Sequence, residues 1–183
     1  MENKNNITRI DVTERRYKAE SRRISAGDLD ILASDESVEV REAVALNPNV
    51  YVKTLDKLAV DDDRRVRAAS ASNEKISAKS MRTLAKDVDV TVRKTVAINL
   101  KAEAATLDIL AKDSSMAVRC SVAEHPNTSS KTLAKMAGDV EVVVRRKVAA
   151  HPSVSEFTLA RLSEDRDGEV SRLARANIQK RFG

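Results

Sequence analysis

One short phrase returns along the chain at an unbroken interval of 26 residues in six copies, of which the fifth opens on Met136 and the sixth carries Ser163 and Ser171: Leu-Ala, any residue, Asp, and six residues on from the Asp a Val-Arg pair is completed. The acidic position is Asp35, Asp61, Asp87, Asp113, Asp139 and Asp165 without exception. The position three residues before it is Leu32, Leu58, Leu84, Leu110, Met136 and Leu162. A period of this length constrains the fold before any other feature does, because one unit cannot bury its own apolar face and must stack on the next copy. Length alone, 183 residues, would suit one or two domains. The repeat instead predicts a single solenoid over residues 24–183, preceded by a basic N-terminal arm or degenerate capping helix over residues 1–23.

Two apolar clusters recur in each period. In the first, Leu29 and Leu32, Leu55 and Leu58, Met81 and Leu84, and their later equivalents stand three residues apart, which places them on one stripe of a short helix. Thr54, Ser80, Thr106, Thr132 and Thr158 precede this cluster, and neighbouring hydroxyl or acidic residues are expected to cap its start. The second cluster pairs Val40 with Val44, Val92 with Val96, Val118 with Val122 and Val144 with Val148, each pair followed by Ala. Val38-Glu39-Val40 and Val90-Thr91-Val92 also alternate as a strand would. The i,i+4 pairs outweigh that alternation, since the Val38 position becomes Arg64 and Gly168 elsewhere while the Val40 position stays Val. Helices are expected, short enough to be partly 3₁₀. Asn47-Pro48, His125-Pro126 and His151-Pro152 end the second helix, because a residue before Pro is pushed out of helical geometry.

Only 2% of residues are aromatic, so Leu, Val and Ala must build the core. No apolar run approaches the ~18 residues of a membrane span, and the polar N-terminus lacks the apolar stretch of a secretory signal. With a single cysteine, Cys120, no internal disulfide framework is possible. A cytoplasmic protein is the expectation. The net charge of +5 gathers at the ends: residues 1–23 carry seven Lys/Arg against four Asp/Glu, and residues 140–183 carry nine against six.

The pattern Leu-x-x-Leu-Ala-x-Asp, then Val-Arg, then Val-Ala-x-Asn-Pro resembles the leucine-rich repeat variant family over residues 24–178. That resemblance implies an all-α, right-handed α/α (partly 3₁₀) solenoid of about six 26-residue repeats, a compact relative of the HEAT and armadillo superhelices. It implies binding or scaffolding and no reaction. Some members of that family carry a cysteine-bound iron–sulfur cluster near the N-terminus. Residues 1–30 here contain no cysteine, so that cluster is not carried over. HEAT repeats likewise hold an Asp and an Arg six residues apart, here Asp35 and Arg41, Asp61 and Arg67, Asp87 and Arg93, Asp113 and Arg119, and Asp139 and Arg145. A conventional leucine-rich repeat shares the period, but its Leu-x-Leu strand followed by Asn is absent.

Six Asp and five Arg in register read as a structural ladder in which each Asp accepts backbone N–H groups and an Arg fork from its own or the next repeat. In the last copy the Arg position is Ser171 and the Ala position is Arg175, as suits a C-terminal capping helix with no further repeat to bond. His125 and His151 share a column with Asn47, Asn73 and Asn99 and read as turn residues, since one repeat of separation is too far for a shared zinc. Cys120 reads as a surface thiol without an activating base. No metal, no cofactor and no enzyme activity is expected. Base-directed chemistry of the kind HEAT-like DNA glycosylases perform is discounted, because the chain has no Trp.

Positions equivalent to 39, 42, 43 and 46 point away from the Val/Ala stripe and form the expected partner face, with Arg65, Lys94, Arg146, Lys147 and Arg172 as its basic candidates. The expected partner is a protein or peptide. The alternative is nucleic acid held through phosphates by those residues and by Arg15, Arg16, Arg22 and Arg23 of the arm. Val12, Arg15 and Ala19 fall 26 residues before Val38, Arg41 and Ala45, which predicts a degenerate half-repeat whose helix starts near Thr8 or Thr13. The first few residues are expected to be disordered.

Overall fold

The computed structural model describes Ile7 and residues 10–182. The expected disorder of the first residues, and a helix start at Thr8, lie outside that range. The described chain forms two compact units, residues 1–101 and residues 102–183. Each is a stack of helix pairs, and the described residues contain no strand.

The N-terminal unit holds α1 (Val12–Glu20), α2 (Ala26–Leu32), α3 (Val38–Leu46), α4 (Val52–Leu58), α5 (Arg64–Ser72), α6 (Ala78–Leu84) and α7 (Val90–Ile98). The C-terminal unit holds α8 (Ala104–Leu110), α9 (Met116–Glu124), α10 (Ser130–Met136), α11 (Val142–Ala150), α12 (Glu156–Leu162) and α13 (Gly168–Phe182). A seven-residue helix and a nine-residue helix therefore alternate, the last one extended to 15 residues. All of these helices are α-helical, and i→i+3 bonds of the 3₁₀ type are confined to their ends, as from Asp35 N to Leu32 O at 3.0 Å and from Asn47 N to Val44 O at 3.1 Å. Such short helices are marginal alone, so tertiary packing must hold them.

Capping follows the local sequence. Ser25, Ser77, Ser129 and Ser155 each accept the N–H three residues on and so start a seven-residue helix. Tyr51 and Glu103 occupy the same column and make no such bond. Helix α1 begins at Val12 because Asp11 accepts the N–H groups of Thr13 (2.7 Å) and Glu14 (3.2 Å).

The core lies between the two helix rows. Leu29, Leu32, Val40 and Val44 are fully buried, as are Leu107, Val118 and Val122 in the C-terminal unit. Burying one such side chain contributes about 1.5–3 kcal/mol. Consecutive nine-residue helices pack directly on one another, α1 on α3, α3 on α5 and α5 on α7, then α9 on α11 and α11 on α13. The contact is made close by a column of alanines (Ala19, Ala45, Ala71, Ala97, Ala123 and Ala149) with no exposed surface at all. Ala19 in that column shows that α1 is a repeat helix in register, whatever precedes it.

Candidate functional site

The invariant aspartates are fixed first by their own turns. Asp61 Oδ1 accepts the N–H of Asp63 at 2.9 Å, and Asp35, Asp87, Asp113, Asp139 and Asp165 do the same two residues on, at 2.8–2.9 Å. Onto the carboxylates of Asp35, Asp61, Asp87, Asp139 and Asp165 comes an arginine fork from the preceding repeat. In the N-terminal unit Arg41 Nε meets Asp61 Oδ2 at 2.7 Å and Arg41 Nη2 meets Oδ1 at 2.9 Å. Arg67 and Asp87 repeat this at 2.7 and 3.0 Å. In the C-terminal unit Arg119 with Asp139 and Arg145 with Asp165 repeat it again at 2.7 and 3.0 Å. The third nitrogen turns back: Arg41, Arg67, Arg93, Arg119 and Arg145 each donate Nη1 to the carbonyl of the aspartate six residues earlier, at 2.8–2.9 Å. One guanidinium thus ties two turns together, with its pair partner in the next repeat rather than its own.

This bonding sets the electrostatics. The Arg145 fork holds the Asp165 carboxyl below its usual range. At Asp61 and Asp139 burial pulls upward, but the fork and the turn N–H outweigh it and both carboxyls end low. The arginines are raised, first by their hydrogen bonds to the aspartates. Permanent ion pairs of this kind have no proton to exchange near neutral pH.

Sequence reading placed Arg15 in a basic arm available to phosphate. The structure corrects this: Arg15 is buried, with Nε on Asp35 Oδ2 at 2.7 Å and Nη1 on the Ile10 carbonyl at 2.7 Å. It is a further rung of the ladder.

A second seam runs through the other turn. Asn47 Nδ2 donates to Ala19 O (2.7 Å) and Ser21 O (3.0 Å), and Asn73 Nδ2 donates to Ala45 O (2.7 Å) and Asn47 O (3.2 Å). Each amide oxygen accepts the N–H two residues on, from Asn49 at 2.8 Å and Lys75 at 2.9 Å. His125 and His151 take this position in the C-terminal unit, and Asn177 resumes it on α13 by donating to Ala149 O at 2.9 Å. Burial pushes the His151 pKa down.

A third row went unread in the sequence. Thr54 Oγ1 meets Asp30 Oδ1 at 2.5 Å, Ser80 Oγ meets Asp56 Oδ1 at 2.6 Å, and Thr132 bonds Asp108. The signal was present as Asp residues 24 positions before a buried hydroxyl. Thr106, wholly buried, has no partner for its hydroxyl.

The exposed face is what these rows leave over. Arg65 contacts Glu39 at 3.2 Å and Asp63 at 3.4 Å, Arg146 contacts Asp167 at 3.0 Å, Arg172 contacts Glu169 at 2.7 Å, and Lys147 bonds Glu124. Lys94 stands exposed. Four of the five basic candidates are therefore already neutralised by a carboxylate, and they are distributed over both units rather than gathered into one cluster. The column of position 43 was expected to face outward, yet Ala43 and Ala69 are buried, because the flanking nine-residue helices close over small side chains. Cys120, expected on the surface, is half-buried, and burial pushes its thiol pKa up. On the N-terminal unit an open groove of about 550 Å³ is lined by Arg16, Glu20, Glu39, Glu42, Leu46 and Arg65, among others. A second hollow of about 360 Å³ shares Arg16, Glu20 and Glu39 and adds Val12 and Tyr17. Tyr17 is 74% exposed and Leu46 56%. No group of three or more His, Cys, Asp or Glu able to hold a metal occurs among the described residues. No helix among them is long and apolar enough to cross a membrane.

Fold and seams define the class as an all-α helical-repeat protein. The chain is similar to a solved leucine-rich repeat variant with a novel repetitive structural motif, at 27% identity and a TM-score of 0.74 over 94% of this chain and 69% of that one. YibA of Escherichia coli shares the fold at 15% identity, with a TM-score of 0.54 over 97% of this chain and 95% of its own. A designed armadillo repeat protein in complex with the peptide (KR)4 aligns at 15% identity over 91% of this chain and 90% of its own, but its TM-score of 0.45 is too low to bear on function. No family model matches the chain, and no curated protein does.

Proposed function

We propose that this chain is a non-enzymatic scaffold that binds a protein or peptide on the exposed face of its nine-residue helices. In this reading the Asp and Arg rows, from Arg15 to Asp165, serve only to hold repeats in register, and α1 serves as the cap of the N-terminal unit. The observation that carries the proposal is the two hollows sharing Arg16, Glu20 and Glu39, one beside Leu46 and the other beside Tyr17, where large apolar side chains stay exposed between ion pairs. Apolar anchors inside a polar rim are how a protein partner is gripped. Phosphate binding is the weaker reading, because Arg65, Arg146, Lys147 and Arg172 already have carboxylate partners that phosphate would have to displace.

A displayed random-peptide library and a labelled DNA duplex, offered in parallel to the purified chain, test this. The proposal predicts recovered peptides whose binding is lost in the Tyr17→Ala, Leu46→Ala double variant. It also predicts little duplex binding at ~50 mM salt. Duplex binding that is tight there, falls steeply by ~200 mM, and disappears on replacing Arg146, Lys147 and Arg172 by Ala would contradict it.

A further inference from the structure

The Asn seam and the His seam perform the same hydrogen bonding with chemically different groups. An Asn amide offers one acceptor and two donors at any pH. A neutral imidazole offers one acceptor and one donor, and an imidazolium offers two donors and no acceptor. At His151 both nitrogens are committed: Nδ1 accepts the Ser153 N–H at 3.0 Å, and Nε2 lies 3.1 Å from the His125 carbonyl, to which only an N–H can donate. That arrangement requires the neutral ring with its proton on Nε2. His125 Nδ1 likewise accepts the Asn127 N–H at 3.1 Å. Both rings are almost completely buried, at 3% and 4% exposure.

We propose that the histidine seam is an acid-sensitive latch in the C-terminal unit, closed while the His151 imidazole is neutral and opened when its Nδ1 takes a proton. A proton on His151 Nδ1 would face the Ser153 N–H head-on, removing the bond that closes the turn after α11. The same turn receives α13, since Asn177 donates to the His151 carbonyl at 3.2 Å and Arg181 donates to the Val154 carbonyl at 2.8 Å. Opening therefore loosens the seating of α13 on α11.

The surroundings oppose the imidazolium. Burial acts first, and the charged or titratable groups bearing on the His151 ring among the described residues are His125, from the turn after α9, and Arg181, from α13, which both push the same way. Only the His125 carbonyl favours the charged ring. An unfolded chain takes up this proton near pH 6.5, while the folded one resists it. Stability is therefore full above about pH 6.5 and falls as pH drops through that value. The ladder carboxylates with resolved shifts, Asp61, Asp139 and Asp165, are held low and stay charged in this window. Acid loss between about pH 7.5 and 5.5 is therefore not theirs.

The N-terminal unit supplies the control, because it shows that Asn fits the position. Amide hydrogen exchange and urea midpoints of the full chain at about pH 7.5 and 5.5 form the test. The Ser153 amide should lose protection on acidification by up to about tenfold, because pH 5.5 lies about one unit below the unfolded value, after correction for intrinsic exchange. The double variant His125→Asn, His151→Asn should keep its midpoint across that range. Conversely, Asn73→His should make the Lys75 amide newly acid-sensitive, which decides the matter even where the double variant folds poorly. Ser153 protection unchanged at pH 5.5, equal acid losses in parent and double variant, or no acid sensitivity in Asn73→His would each overturn the latch.

Discussion

Arg65 and Arg67 sit two residues apart on α5, and both meet carboxylates, yet their surroundings have little in common. The Arg67 side chain is 14% exposed and forks onto Asp87, itself 8% exposed, while its remaining nitrogen bonds the carbonyls of Asp61 and Asp62. Arg65 is 48% exposed and touches Glu39, which is 50% exposed, through one nitrogen. The same contrast separates Arg145 from Arg146 on α11, where Arg145 is buried and Arg146 half-buried. Phase within the 26-residue period, rather than residue type, decides whether a charge is part of the frame or part of the face. A forked pair screened from water gains from its geometry, whereas an exposed pair is offset by solvation and side-chain entropy.

Breaking the frame should have the largest effect. Arg67→Ala leaves the Asp87 carboxylate unpaired among protein groups and is expected to cost about 3 kcal/mol in urea unfolding. Arg67→Lys should recover only part of that loss, since an ammonium cannot reproduce the fork. Next in size is Asn73→Ala, which strips the Ala45 and Asn47 carbonyls and the Lys75 N–H of their partners. About 2 kcal/mol is expected by the same measurement. Thr106→Val should act in the opposite direction: it removes a buried hydroxyl that bonds nothing and keeps the shape, so stability should rise by about 1 kcal/mol. Smallest of all, Arg65→Ala should leave the urea midpoint where it is, because water replaces what Glu39 provided.

Much of this frame is legible in the sequence, for a simple reason. The Leu and Val columns and the Asp column are each set by one requirement that every repeat must meet, so they recur without interruption. Direction is not legible. An Asp and an Arg six residues apart suit a local pair as well as a relay, and only the packed helices show Arg41 reaching onward to Asp61 while bonding the Asp35 backbone. Arg15 shares its charge with the exposed neighbours Arg16, Arg22 and Arg23, and only its 26-residue spacing from Arg41 sets it apart as a rung of the ladder. The position of Ala43 misleads for another reason. A helix with one apolar stripe predicts one buried face, but α3 is flanked by both α1 and α5, and small side chains are covered from either side. The hydroxyl row was hidden because Thr54 and Asp30 belong to different repeats and neither is apolar.

The central claim is that the aspartate and arginine rows join one repeat to the next. A double-mutant cycle on Arg67 and Asp87, built from Arg67→Ala, Asp87→Ala and the double variant, measures that directly by urea unfolding. The claim predicts a coupling free energy of about 2 kcal/mol, well above the ~0.5 kcal/mol of an exposed pair. Additive losses, with no coupling between the two positions, would contradict it.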